Sequence, residues 1–303
     1  MLSAALCAGA LSAVAFTPAS ALADDQGGQQ GRVIYDAMVR PQPGNLPSQA
    51  FEATSTSEFG DLVSFAGTAR ALDAVTVTMS SWGCQSGAWY SADCATRRGA
   101  TFSVPVTFSI YAAPTGTAIT PGALLATRTQ TFHVPYRPSS DNAHCPGGPG
   151  VGGQWFDGAT CFNGLASTIT FDFSAQHVVL PGSVVYGIAY NTSHYGYHPI
   201  GQNTPCYTTS GGCPYDSLNV GLSPAVVVGS QVVPGTAFLN AHYAGPTVYC
   251  DSGGAGLDVF RLDSPGNACW TGYVPATRFI AHKLGDGRGE GGGSGGDPGS
   301  RWD

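Results

Sequence analysis

Four close-spaced cysteine pairs constrain this chain more than any other feature. Cys84 and Cys94, Cys145 and Cys161, Cys206 and Cys213, and Cys250 and Cys269 follow one another along the sequence. The segments between partners are rich in Gly, Ser and Pro, which turn readily. Sequential pairing into four short loops is therefore expected, although eight thiols permit many other connectivities. On a chain-entropy account each loop stabilises the fold by roughly 3 kcal/mol, less any native strain. Zinc–thiolate sites use tighter C-x2-C spacings, which these pairs do not have. Disulfides at this density indicate an oxidising compartment and a loop-rich domain.

The N-terminus agrees. Residues Leu2 to Phe16 are almost wholly small and apolar, and Ala21-Leu22-Ala23 supplies a small-x-small cleavage pattern. The run is shorter than the ~20 residues a spanning helix needs. Residues 1–23 are read as a signal peptide, with Cys7 inside it, although no Lys or Arg precedes the apolar run. The chain is then expected to comprise a polar lead-in over 24–32, a folded body over 33–283 and a Gly-rich tail over 284–303. This points to a secreted, extracellular protein without a transmembrane segment.

Composition decides the fold class. Gly and Pro number 43 and 21 of 303 residues, charged residues are only 10%, and Lys283 is the single lysine. Such a chain has few good helix formers. Period-2 alternation is clear at Asp73–Ser80, where Val75, Val77 and Met79 oppose Thr76, Thr78 and Ser80. It recurs at Val104–Ile110, Thr168–Phe173 and Val184–Tyr190. Weaker strands are expected near Val33–Asp36, Asp61–Ala66, Leu124–Phe132, Leu218–Leu222, Ala225–Val228, Val259–Leu262 and Thr277–Ala281. Many half-buried strands with long connections predict an all-β fold, an antiparallel β-sandwich with disulfide-stapled loops. The net charge of −7 argues against nucleic acid or anionic lipid as partner.

Three stretches carry a resemblance: Val104-Pro-Val-Thr-Phe-Ser-Ile-Tyr111, Pro121-Gly-Ala-Leu-Leu-Ala-Thr127 and Leu180-Pro-Gly-Ser-Val-Val-Tyr-Gly-Ile-Ala-Tyr190. They resemble secreted bacterial jelly-roll domains of surface proteins. Phe51–Asp61 and Asn191–Tyr197 look like a narrower actinobacterial group of exported proteins without an assigned activity. The resemblance covers most of 33–283 and implies a jelly-roll-like sandwich. It implies no reaction.

Catalytic signatures are sparse. Glycoside hydrolysis needs two carboxyls flanking one bond. The body holds two glutamates, Glu52 and Glu58, about 20 Å apart if that segment is extended. There is no G-x-S-x-G elbow. His194 and His198 share the spacing of a helical zinc site, but Gly196 and Pro199 break any helix there. No cofactor is expected. Structural calcium is an open alternative at Asp251–Asp258 or at Glu58 with Asp61, set against ordinary solvated turns.

Binding has better candidates. The long segment 191–217 is aromatic-rich and contains the Cys206–Cys213 pair. Long stapled loops are more often functional than plain connectors. Asn191, His194, Tyr195, Tyr197, Tyr215, Asp216 and Asn219 are the candidate ligand-binding residues, with Trp155 as an exposed stacking platform. Trp82 and Trp270, beside cysteines and strands, are expected to be packed. The chain thus reads as a non-catalytic extracellular binding or surface module, with an extracellular glycan or cell-envelope component as partner. The alternatives are a secreted polysaccharide hydrolase and a structural envelope protein.

Overall fold

The computed structural model describes residues 31–51, 56–87, 92–147, 153–190, 218–241, 258–263 and 270–284. These residues form an all-β, antiparallel, jelly-roll-like sandwich. Its only helical turn among them is a 3-10 turn at Ser174–Gln176.

The first sheet is built around β4 (Ala71–Ser81). One edge of β4 pairs with β9 (Leu165–Asp172). Its other edge pairs with β16 (Thr277–His282) and then β11 (Leu218–Ser223). Outside these lie β1 (Arg32–Asp36) on β16, and β2 (Ser48–Gln49) and β15 (Val274–Pro275) on β11. The second sheet runs β14 (Arg261–Asp263), β13 (Ala237–Ala241), β3 (Thr56–Ser64), β10 (Ser183–Ala189), β5 (Thr101–Ala112) and β6 (Leu124–Pro135). The two-residue β12 (Ser230–Gln231) continues β13's side of β3.

The alternation read from the sequence sets the core. Val75, Val77 and Met79 of the first sheet face Val104, Val106, Phe108, Val184 and Tyr186 of the second. Phe108 lies at the centre, stacked on Tyr186 at 5.5 Å and tilted against Phe171 at 5.4 Å. Removing such a buried ring costs about 3–5 kcal/mol.

Some expected strands differ. β3 begins at Thr56, five residues ahead of the expected start. Ala225–Val228 is a bend, since Pro224 and the positive-φ Gly229 bracket it, and only Val228 bridges to Asp36. β13 was not anticipated. Ala237, Phe238 and Leu239 are all buried, so no alternation marks it.

One end of the sandwich carries a stapled lobe. Cys84–Cys94 and Cys145–Cys161 are disulfides with Cα separations of 5.6 and 5.8 Å, as sequential pairing requires. The other two expected pairs lie outside the described residues. Arg137 is fully buried between the two loops. Its backbone N–H donates to Gly83, and its guanidinium donates to the carbonyls of Pro138 and Gly153.

This lobe corrects the expectation for Trp155. The ring is only 7% exposed. Its Nε1 donates to the Gly164 carbonyl at 2.7 Å and its face packs on Phe162. A Cβ on Gly44 would strike both rings, so a residue far away in sequence closes the pocket. Trp155 sits on β7 (Trp155–Phe156), paired with β8 (Cys161–Phe162), and serves as packing. Trp270 is packed as expected, stacked on Phe59 at 5.4 Å.

Candidate functional site

An antiparallel sheet facing water on one side should be polar on that side. The outer face of the second sheet departs from this rule. Leu62, Val185 and Phe238 form a buried apolar cluster there, with Tyr111, Ala113, Val233, Phe260 and Leu262 half-buried around it. Tyr111 and Phe260 approach at 5.7 Å, and Phe238 and Phe260 at 5.6 Å.

Strand register explains how a trough forms beside this cluster. Phe238 is opposite Gly60, Gly60 opposite Gly187, Gly187 opposite Ser109 and Ser109 opposite Thr127. Two adjacent glycines in that row remove the side chains from its middle. A Cβ at Gly60 would strike the Tyr186 backbone carbonyl, whereas at Gly187 it would meet the Glu58 side chain, which covers that position; both glycines are buried.

The trough has one aromatic side and one polar side. Leu62, Val185 and Tyr111 form one neighbouring row. Glu58 lies two residues from Gly60 along β3, opposite Asn240. Its carboxyl reaches over Gly187, and the Tyr111 hydroxyl donates to Glu58 Oε1 at 2.9 Å. Ser109 lies two residues from Tyr111 on the same face of β5 and is hydrogen-bonded to Thr127 at 3.2 Å. Asn240 Oδ1 is a buried acceptor with no partner among the described residues, beside Glu58.

Burial pushes the Glu58 pKa up, and the Tyr111 hydrogen bond partly offsets this. Burial also pushes the Tyr111 phenol up to about 12, with the Glu58 charge adding to it. A half-buried carboxyl, a phenol and an orphan amide acceptor beside aromatic rings can receive a ligand that has both hydroxyls and apolar faces.

The residues expected from sequence fare unevenly. Asn191, His194, Tyr195, Tyr197, Cys206, Cys213, Tyr215, Asp216, Cys250 and Cys269 lie outside the described residues. Asn219 is in β11, 4% exposed, with its amide donating to Ser48 Oγ at 3.2 Å. Asn219 and Trp155 therefore belong to other parts of the fold than the trough.

Glu58 and Asp61 do not form one calcium site, because residues three apart on a strand face opposite sides. Asp61 points into the core beside Tyr35 and Tyr186. No group of three or more His, Cys, Asp or Glu suited to a metal ion occurs among the described residues. Of Asp251–Asp258, only Asp258 is described, held by its N–H to the Ala241 carbonyl. No described helix is long and apolar enough to cross a membrane.

Sequence reasoning missed Tyr111, Asn240 and Phe260. Tyr111 lies near the end of a strand whose inward residues are all apolar, so its outward position was readable. Its partner across the trough was not. No family model matches the chain, and no curated protein or solved structure matches it.

Proposed function

We propose that the protein is a secreted, non-catalytic binding module of the cell exterior, with carbohydrate as its ligand class and the Glu58–Tyr111 trough as its site. The observation that carries this reading is the Tyr111–Phe260 ring pair standing beside the half-buried Glu58 carboxyl on an outer sheet face. Sugars present apolar CH faces and hydroxyls together, which is the combination this trough offers. Tyr supplies both a flat face and a polar tip. The two disulfides and the leader-like N-terminus support export. Hydrolysis would need a second carboxyl across the bond, and Asp61 is on the opposite face of β3.

The test is a glycan array probed with the oxidised mature protein, beside Tyr111→Ala and Phe260→Ala. Retention of a glycan set by the wild type, lost in both variants at nearly unchanged Tm, is the expected result. Retention that survives both variants places binding elsewhere. Absence of any retained glycan overturns the ligand class.

A further inference from the structure

From the trough, a ladder of hydroxyl groups continues along the same outer face. β5 and β6 pair over their full length, with Ser109 opposite Thr127, Thr107 opposite Thr129 and Ser103 opposite His133. These rungs are closed by hydrogen bonds of 3.2, 2.7 and 3.2 Å. Between the last two, Pro105 faces Thr131. Successive rungs are spaced about 6.7 Å along the strands, so Ser103 to Ser109 spans about 20 Å. Thr127, Thr129, Thr131 and His133 are all exposed.

We propose that this ladder extends the trough into an elongated cleft for a linear, uncharged polysaccharide, which lies along β5 and β6 with one unit held at Tyr111. The proposal rests on the carbohydrate reading above and narrows it.

Charge supports it. No carboxylate, ammonium or guanidinium stands on these rungs, and His133 is the one ionisable group. A charged sugar laid here would lose hydration without gaining a counter-charge. Each Thr or Ser hydroxyl has one donor and two acceptor positions. At the exposed hydroxyls of Ser103, Thr127 and Thr129 a rung bond uses only part of that capacity and leaves the rest for ligand hydroxyls, whereas Ser109 is buried.

Continuity supports it as well. Ser109 is opposite Gly187 in the strand register and hydrogen-bonded to Thr127, so the first rung adjoins the row over which Glu58 meets Tyr111.

A second copy of the chain fits this place less well. Strand addition needs a free edge. β6 ends its sheet, but one of its backbone carbonyls and one of its side chains are tied to β9 and the turn after it. Gln130 donates to the Thr170 carbonyl and Gln176 to the Thr127 carbonyl.

The experiment is calorimetric titration of the full oxidised protein with soluble cellulose and chitin oligosaccharides, from disaccharide to octasaccharide, beside uronic-acid oligosaccharides of the same lengths as charged chains. Affinity is expected to rise with length. The Thr107→Val/Thr129→Val double variant should bind the disaccharide as the wild type does. It should lose about tenfold at the octasaccharide, from two lost hydrogen-bonding rung groups. Tyr111→Ala should lose binding at every length. Wild-type affinity that does not change with length, or a silent double variant, overturns the ladder and leaves the trough reading standing. No binding by any of these neutral chains, or binding of charged chains alone, overturns the ladder. A charged chain whose binding is lost in Tyr111→Ala still leaves the trough reading intact. Concentration-dependent dimerisation that Thr129→Arg abolishes would instead make this face a contact between copies.

Discussion

Two carboxyls stand three residues apart on β3 and have opposite fates. Asp61 projects into the core and is completely buried. Gln231 Nε2 donates to it at 2.9 Å and the Leu62 N–H at 2.8 Å. Glu58 projects to the outer face, where the Tyr111 phenol donates to it and its side chain stays half-buried. Burial lifts both pKa values, so a perturbed carboxyl alone does not mark a site. Asp61 is enclosed by its own chain. Glu58 lies beside Asn240 Oδ1, which has no partner among the described residues, and two half-buried rings, where a ligand can supply what is missing.

The largest expected effect tests the enclosed side. An ordinary Asp titrates near ~4. Burial lifts Asp61 to about 8, against the smaller lowering by its Gln231 and Leu62 hydrogen bonds. Between these values the unfolded chain has released the proton and the folded chain still holds it. The contribution of Asp61 to stability is therefore fully present below about pH 4, falls as pH rises, and is lost above about pH 8. The slope is up to ~1.4 kcal/mol per pH unit. Urea unfolding across this range should show the decline, and Asp61→Asn should flatten it. A wild-type curve without slope would mean that Asp61 reaches water.

The next effect compares the two apolar faces. Phe238 is as fully buried on the outer face as Phe59 is in the core. Phe238→Ala should cost about 3 kcal/mol or more, like Phe59→Ala. Phe260→Ala should cost less, because that ring is half-exposed, yet should do more damage to glycan retention. A small cost for Phe238→Ala would mean that the outer cluster is loosely packed and that the trough has no rigid wall.

This contrast also explains what could be read from the residues. The core face was legible wherever a strand alternates, as at Val75, Val77 and Met79 or Val184, Tyr186 and Ile188. β13 was not, because an outer cluster buries its second face and erases the period. Trp155 looked exposed among glycines, but Gly44 and Phe162 close over it from elsewhere in the chain. The separation of Glu58 from Asp61 was legible in principle, since odd spacing on a strand means opposite faces. The trough was not. It depends on Gly60 meeting Gly187, a register that no local pattern specifies.

The smallest effect sharpens the open side. Glu58→Gln keeps an acceptor for Tyr111 and removes only the charge. The raised Glu58 pKa has the same sign as that of Asp61, so its contribution to stability is lost as pH rises through the folded value. The group is partly solvated, so the gain from Glu58→Gln at neutral pH should stay below ~1 kcal/mol. The more sensitive readout is Tyr111. Burial is the larger cause of its rise to about 12, and the Glu58 charge is the second. The substitution removes the second cause alone. Titration of a 13C-labelled Tyr111 ring by NMR should therefore show its pKa falling toward, but not reaching, the ordinary tyrosine value near ~10. A Tyr111 titration that ignores Glu58→Gln would show that the two groups do not meet over Gly187, and the trough would lose the hydrogen bond that joins its sides.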